Sequence, residues 1–385
     1  MWKFYYMLQT KNTNACEKFT CYALLFLGVL GALHIAAFLP ISETAILELI
    51  FLITSLIALF NYGINKNALI IGFLSLVYLI YSWVYSALFT NTNILDLILA
   101  YKSYYYMIFI GFFYKKNIFS NEKIEYLFKC FLILFLFKYT LDRFALGIER
   151  PQLLVENNYE LILLILLYYY VNITHKKIVI LNTILLCYLC FISGSRSSLV
   201  AMVIAFFFSI EKKISIKTLL IYIISPIMVI AVLILFQDRI ATIDGGIEQI
   251  DRVKFFNEFL YSTADWPWWQ FFTGAKALTP LLPASCADLS YYQTLFSYAG
   301  DGRCYSVILH SFIMRVIYDH GIIGFAFLIF CLFIYLDKYS IKEKIAILLV
   351  LIATGLSVSS LNNVYVSLAL VIFVGANYSR RRLNE

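Results

Sequence analysis

The sequence predicts an all-α fold, a polytopic membrane helix bundle of about twelve transmembrane helices. Of its 385 residues, 62% are hydrophobic and 14% are charged, and the mean hydropathy is +0.83. A soluble globular protein carries about 25% charged residues. Most side chains here are therefore expected to meet neither water nor a charged partner. The apolar runs are long and continuous, whereas the strands of a transmembrane barrel alternate with period two, so helices are favoured.

Twelve apolar runs follow one another along the chain, and each predicts one span because about 20 apolar residues cross a bilayer as a helix. The runs cover residues 21–39, 44–61, 68–89, 95–114, 124–141, 159–174, 178–193, 197–210, 218–236, 307–336, 345–358 and 362–378. The first lacks a small-residue cleavage site and is expected to remain as a signal anchor. The tenth is too long for one simple span, so we expect a short outer-face helix to lead into a membrane helix.

Lysines mark the predicted cytoplasmic side. With the N-terminus inside, the opposite side carries only Lys254 and Lys276, which satisfies the positive-inside rule and places both termini in the cytoplasm. The chain then divides into nine helices over 1–237, a large outer loop over 238–306, and three helices with a basic tail over 307–385. The net charge of +7 does not indicate a nucleic-acid partner, because the cations are scattered at the ends of apolar runs and form no basic face.

Arginine has the opposite distribution. Outside the basic tail there are seven arginines, all at or near the predicted outer face: Arg143, Arg150, Arg196, Arg239, Arg252, Arg303 and Arg315. Membrane topology does not require cations on that side. Pairing with nearby acids such as Asp142, Glu149 and Asp251 would account for about half of them. The alternative is an anion site, because the planar guanidinium binds phosphate with two prongs.

The large outer loop is expected to contain an amphipathic helix over 247–260, with apolar residues at Ile247, Ile250, Phe256, Phe259 and Leu260. The motif WPWW follows and holds three of the five tryptophans, Trp266, Trp268 and Trp269. It fits either an interfacial aromatic anchor or a stacking platform for sugar rings. Of eight cysteines, two lie in this loop, and Cys286 and Cys304 are expected to form a disulfide on an oxidising side of the membrane. No set of His, Cys, Asp and Glu has zinc-site spacing, so no metal is predicted.

Two short segments combine polar and apolar residues at the outer face. In SGSRSSLV, residues 193–200, a polar turn precedes Arg196 at the start of the next helix. Free N–H groups at a helix start together with a guanidinium can bind an anion, although an ordinary tight turn has the same composition. In HSFIMRVIYDHGIIG, His310 lies at the mouth of the tenth run. An imidazole there suits a general base, although a lone histidine also serves as a helix-end donor.

Together these segments resemble the O-antigen ligase/polymerase superfamily over residues 145–337, about half the chain. The resemblance rests on SGSRSSLV after the seventh run, ERPQLLVENN before the sixth, the arginine-bearing loop helix, and His310 with Gly321 eleven positions later. One departure is Val200, where the ligase pattern has leucine. The resemblance implies a GT-C-like bundle in the bacterial inner membrane with a large periplasmic loop.

The resemblance also implies a membrane glycosyltransferase whose donor is an oligosaccharide on undecaprenyl pyrophosphate, with no metal and no cofactor. Arg196 matches the family's pyrophosphate-binding arginine, and His310 matches its candidate general base. Arg252 matches the loop-helix arginine loosely, with Arg239 as a competitor and Arg150 as a further phosphate ligand. The partners implied are the lipid-linked oligosaccharide, the lipid bilayer, a chain-length regulator and a flippase.

Several functions remain open at this stage. A polymerase would join two lipid-linked repeats, whereas a ligase would use lipid A–core as acceptor. The richness in Phe, Tyr, Ile and Lys favours the polymerase. A flippase or transporter would show two similar halves with broken helices, and no such repeat is seen. It is kept as an alternative because Lys102 and Lys138 fall within apolar runs. A receptor or scaffold is the remaining option.

Overall fold

The structure, a computed structural model, describes residues 2–34, 41–90, 92–154, 156–175, 178–210 and 251–378. These residues fold into helices, and within these ranges extended pairing is limited to one bridge between Phe119 and Ala376. The all-α prediction is therefore confirmed. The predicted ninth span, Arg239 and the basic tail lie outside the described residues.

The described helices are numbered in chain order. They are α1 (Trp2–Ala32), α2 (Glu43–Tyr62), α3 (Lys66–Tyr85), α4 (Ile94–Ala100), α5 (Lys102–Gly111), α6 (Asn121–Thr140), α7 (Asn157–His175), α8 (Ile180–Ile192), α9 (Arg196–Ser209), α10 (Asp251–Ser262), α11 (Gln270–Thr273), α12 (Pro283–Asp288), α13 (Phe312–Tyr335), α14 (Ile341–Gly355) and α15 (Val364–Gly375). Short π turns follow α3 and α6, at Ser86–Thr90 and Leu141–Ala145. Short 3₁₀ segments span Ser290–Leu295, Ser306–Leu309 and Ser360–Asn362.

Several of these helices suit a membrane. Four are long and apolar enough to cross one: Ala15–Ala32 of α1, α2, Lys66–Thr90 and α13. The bent pair α4 and α5 would make a fifth span, and α8, α9 and α15 are shorter apolar helices. These lengths and compositions indicate a membrane-embedded helical protein. The total of about twelve spans remains a prediction.

The predicted span over 95–114 is not one helix. It consists of α4 and α5, which meet at Tyr101 with a bend of 62°. A break in a helix leaves backbone groups to be satisfied from elsewhere. Asn362 supplies the partners here, because its Oδ1 accepts from the Ser103 N–H at 2.8 Å and its Nδ2 donates to the Ala100 carbonyl at 3.3 Å. The break is thus bound to the turn that precedes α15.

The predicted outer-face helix before the tenth span is only the 3₁₀ segment Ser306–Leu309, and the break in this region lies further along, inside α13. Gly321 has φ 67° and ψ −179°, a conformation accessible essentially only to glycine. The loop packs directly against this break. A Cβ on Gly321 would lie 2.2 Å from the Phe272 carbonyl oxygen, and the Ala275 N–H donates to the Tyr318 carbonyl at 2.7 Å.

The two lysines within apolar runs both have acidic partners. Lys102 pairs with Glu48, and buried Lys138 lies 2.9 Å from Asp142, one helical turn further along. A charged side chain in a low-dielectric environment is strongly destabilising unless an opposite charge lies beside it. These contacts give both lysines a structural explanation, so neither requires a transport pathway.

The predicted loop helix is described from Asp251 onward, because residues 247–250 lie outside the described residues, and its buried face differs from the predicted one. It is α10, Asp251–Ser262, and its buried aromatic side chains are Phe255 and Phe259, whereas Phe256 is 49% exposed and Leu260 is 48% exposed. The burial of residues spaced four apart makes one narrow stripe that packs on the rest of the loop. Cys286 and Cys304 are joined by a disulfide in the same small core.

Candidate functional site

Two segments that are distant in sequence form one polar surface. The side chain of Asn157 donates from Nδ2 to the Ser193 carbonyl at 2.8 Å, and the Ser195 hydroxyl donates to Asn158 Oδ1 at 2.6 Å. The start of α7 is thereby joined to the SGSRSSLV turn. Four of the polar residues that the sequence singled out are used to hold the two segments together.

Arg196 is the first residue of α9, as the sequence predicted. Ser195 is the N-cap, and its hydroxyl accepts from the Ser198 N–H at 3.3 Å. Serine is a favoured N-cap because its oxygen satisfies a backbone donor that the helix leaves unpaired. The positive end of the helix dipole and the half-buried Arg196 guanidinium therefore lie together.

The segment before α7 is shaped by Glu160, a fully buried carboxylate. It accepts backbone N–H bonds from Leu153 at 2.7 Å, Leu154 at 2.9 Å and Glu156 at 3.0 Å. Charge-assisted bonds to a carboxylate are about twice as strong as neutral ones. This clamp fixes the loop that carries Arg150 and Glu156.

Three arginines from different parts of the chain line one cavity of about 350 Å³, called here the arginine cavity. Arg150 comes from the loop before α7, Arg196 from the start of α9, and Arg252 from the start of α10. The other lining residues are Glu156, Asn158, Tyr159, Asp251, Val253, Phe255, Tyr292, His310, Ser357 and Val358. A polar recess of about 30 Å³ is lined by the same three arginines with Asn157, Asn158 and Gly194.

The charges of the arginine cavity favour an anion. Three guanidinium groups face two carboxylates, Glu156 and Asp251, which leaves an excess of positive charge. Burial raises the pKa of Glu156, while the Asn158 hydrogen bond and the charges of Arg150 and Arg252 oppose that rise. The two arginines thus stabilise the charged form of this carboxyl, and burial opposes it.

His310 lies at the wall of the arginine cavity in a strained conformation. It ends the 3₁₀ segment with φ 55° and ψ −29°, the left-handed region that a non-glycine residue seldom adopts. Its ring contacts those of Phe255 and Tyr292, with centroids 5.1 Å and 5.8 Å away. The next residues are anchored to the turn after α14, because the Ser311 hydroxyl donates to the Gly355 carbonyl at 3.0 Å.

The surroundings of His310 keep its imidazole neutral. Burial lowers its pKa, as do the charges of Arg315 and Arg252, while Asp251 acts in the opposite direction. A neutral imidazole can accept a proton at physiological pH. The cavity therefore combines an excess of positively charged side chains with a group able to act as a base.

The tryptophans proposed for sugar stacking lie elsewhere. Trp266 packs on Tyr318 and Phe271 at centroid distances of 5.3 Å and 5.4 Å, and Trp268 is 77% exposed. Among the described residues that line the arginine cavity, the aromatic ones are Tyr159, Phe255 and Tyr292. None of Trp266, Trp268 and Trp269 is positioned to stack on a sugar in that cavity.

Two other arginines that the sequence predicts at the outer face have local partners. Arg143 donates to the Glu149 carbonyl at 2.8 Å, and Arg303 lies 3.4 Å from Asp301. Asp142, one of the acids expected to neutralise an arginine, instead faces Lys138 and His34. The six of these arginines that the structure describes thus separate into two that stabilise loops and four that line cavities.

Sequence reasoning did not select Tyr159, Phe255 or Tyr292, because aromatic residues are abundant throughout this chain. It also grouped Arg315 with the other outer-face arginines without assigning it to the site. A usable signal was present, since Arg315 is a charge inside an apolar run, and such charges are functional candidates.

No protein-family model, curated protein or solved structure matches this chain.

Proposed function

We propose that this protein is a membrane glycosyltransferase that uses a lipid-pyrophosphate-linked saccharide as donor. The observation that carries the proposal is the convergence of Arg150, Arg196 and Arg252 with His310 on one cavity. A diphosphate is a polyanion, and guanidinium groups bind it through charge-assisted, two-pronged hydrogen bonds. A cavity of this composition suits a phosphorylated ligand better than a neutral one.

In the proposed reaction, a hydroxyl group of the acceptor sugar transfers its proton to the neutral imidazole of His310. The hydroxyl oxygen then bonds to the anomeric carbon of the donor. The bond between that carbon and the phosphate oxygen breaks, and its electron pair leaves with the lipid diphosphate. Negative charge grows on the leaving group during this step, so fixed arginines stabilise the transition state more than the ground state.

The resemblance noted from the sequence narrows the proposal to an O-antigen polymerase that joins undecaprenyl-pyrophosphate-linked repeat units at the periplasmic face of the bacterial inner membrane. In that topology about twelve helices cross the membrane and both termini are cytoplasmic. An O-antigen ligase, with lipid A–core as acceptor, is the alternative within the same chemistry.

The test is complementation of a strain that lacks this gene, with lipopolysaccharide resolved on a gel and protein amount measured by an epitope tag. Arg196→Ala should reduce chain elongation by about a hundredfold or more, and His310→Ala by a comparable factor. Arg196→Lys should also fail, because an ammonium cannot bind in two-pronged fashion.

Arg303→Ala is the matched control, because Arg303 pairs locally with Asp301 and does not line the arginine cavity. It should leave the ladder intact. Full-length ladders from both Arg196→Ala and His310→Ala would refute the proposal. In the strain without the gene, a core bearing a single repeat supports a polymerase. Bare core with accumulated lipid-linked polymer supports the ligase, and unchanged saccharide excludes both.

A further inference from the structure

A second cavity adjoins the arginine cavity on the other side of His310. It measures about 300 Å³ and shares two lining residues with the first, Tyr159 and His310. Consecutive residues of the turn after α14 separate the two, since Val358 lines the first cavity and Ser359 lines the second. A group that enters the second cavity therefore approaches the same imidazole from a different direction.

The lining of the second cavity is of the kind that binds carbohydrate. The aromatic residues Phe296 and Tyr298 lie beside the hydroxyl-bearing Thr294, Ser297 and Ser359. Asp96 orders this wall, because its carboxylate accepts from the Ser297 hydroxyl at 2.6 Å and from the Tyr298 N–H at 3.1 Å. The acid is thereby engaged by the protein, and the wall is held in place by the start of α4.

Arg315 is the one cation among the described residues that line this second cavity. Its residue surface is 6% exposed, and within the described ranges no carboxylate lies within 4.0 Å of its nitrogens. Nη1 donates to the Ser359 hydroxyl at 3.1 Å and Nη2 reaches the Leu99 carbonyl only at 3.5 Å. Nε is buried and has no hydrogen-bond partner among the described residues.

Buried Asp319, one helical turn further along α13, attracts the Arg315 guanidinium but lies beyond ion-pair distance, so the buried charge is only partly compensated. An unsatisfied buried donor adds to that cost. A guanidinium offers paired N–H groups that a carboxylate accepts in two-pronged fashion, and the long contact of Nη2 with the Leu99 carbonyl leaves Arg315 with unused donor capacity. One arginine matches a single carboxylate, whereas the three arginines of the neighbouring cavity match a diphosphate. The two cavities therefore differ in the anion that they suit.

We propose that the second cavity is the acceptor subsite and that it binds an acidic sugar, a uronic acid or a related sugar carboxylate, through the guanidinium of Arg315. The assignment as acceptor site rests on the proposed glycosyltransferase function. The sugar carboxylate pairs with Arg315, the ring lies against the aromatic wall, and a neighbouring hydroxyl faces His310.

The test uses the full-length protein in lipid nanodiscs and measures binding of simple glycosides by ligand-observed NMR. The probes are the methyl glycosides of glucuronic and galacturonic acid, each compared with its neutral counterpart, methyl glucoside or methyl galactoside. At least one acid should bind about tenfold more tightly than its neutral counterpart. Equal binding of each pair, or no saturable binding of either acid, would overturn the proposal without any variant.

Two variants separate this subsite from the proposed function. Arg315→Gln should abolish the preference for the acid, and Arg315→Lys should retain only part of it. Both variants should bind inorganic pyrophosphate with the affinity of the wild type. Arg196→Gln should weaken pyrophosphate binding about tenfold and leave the acid preference unchanged. If the acid preference depends on Arg315 but pyrophosphate binding does not depend on Arg196, the acidic-sugar site stands and the donor assignment fails. Loss of acid preference in Arg196→Gln but not in Arg315→Gln would refute the subsite.

Discussion

The Ser195 hydroxyl donates to Asn158 Oδ1 at 2.6 Å, and this bond joins the two sequence segments that supply Arg196 and Arg150. The same hydroxyl caps α9 by accepting from the Ser198 N–H. The alignment of the guanidinium groups in the arginine cavity therefore depends on a contact between α7 and α9, and not on either segment alone.

Breaking that contact should impair the site more than the fold. Asn158→Ala is expected to reduce stability by about 1 kcal/mol, because it removes one hydrogen bond of a buried hydroxyl that keeps Ser198 as a partner. It should reduce polymer formation by tenfold or more, because small displacements of binding groups have large effects on rate. Polymer length on a gel and thermal unfolding in detergent measure the two effects.

The control for this prediction is Thr279→Ala, which removes an exposed hydroxyl that donates to the Lys276 carbonyl and should change little. In addition, the double variant Ser195→Ala, Asn158→Ala should lose less than the sum of the two single variants, because both single variants remove the bond that the two residues share. Simple addition of the two losses would count against the proposed coupling.

Gly321→Ala should destabilise the protein more than Gly63→Ala. Both glycines have φ near 65° with extended ψ, so both substitutions introduce backbone strain of about 1–3 kcal/mol. A Cβ on Gly63 meets nothing within 4 Å, whereas one on Gly321 lies 2.2 Å from the Phe272 carbonyl oxygen and 2.5 Å from the Gly274 N. Gly321→Ala alone must therefore displace the loop.

Thermal unfolding of the two variants in the same detergent checks this expectation. The difference between them isolates the contact between the loop and the break in α13. If both variants lose the same stability, the loop around Gly274 can move away from residue 321 without a loss of free energy. The close approach of Gly274 to Gly321 would then not contribute to stability.

The acid limb of the pH–activity profile should lie below the ordinary pKa of histidine, about 6.5. Burial, Arg315 and Arg252 lower the pKa of His310, so the imidazole remains neutral until the pH falls below that value. Because the folded pKa is depressed, the associated stability is present above the unfolded pKa and is lost as pH falls through the folded one. Initial rates measured between about pH 5 and 8 provide the profile.

Asp251→Asn refines the same measurement. Asp251 is the nearby charge that raises the pKa of His310, so its removal should move the acid limb to still lower pH. A limb that stays in place, or moves to higher pH, would contradict the assignment of the limb to His310.

Tyr292→Ala should reduce activity strongly, whereas Trp268→Ala should leave it near the wild-type level. The ring of Tyr292 lines the arginine cavity beside His310, and Trp268 is 77% exposed outside it. Removal of the Tyr292 ring would also remove the apolar surface on which the C–H face of a sugar can pack, which weakens binding. The measurement is the polymer yield of the two variants at matched protein amounts. A larger loss of yield in Trp268→Ala than in Tyr292→Ala would favour the tryptophans as the stacking surface.

The sequence by itself determined the helical class and the apolar character of the chain. The fraction of charged residues is low and the apolar runs are long and continuous, which excludes most soluble folds and disfavours a barrel. The sequence also placed Arg196 at the start of a helix, since the polar turn ahead of it contains a good N-cap. These features depend on local composition and on hydrogen bonds within a few residues.

Only the tertiary structure decided where the helices break and which side chains share a cavity. The bend at Tyr101 depends on Asn362, the break at Gly321 depends on the loop around Gly274, and the orphaned Nε of Arg315 is visible only once its surroundings are known. Contacts with the rest of the loop likewise determine that α10 buries Phe255 and exposes Phe256. Each of these features arises from contacts between segments far apart in sequence, and periodicity along the chain carries no information about such contacts.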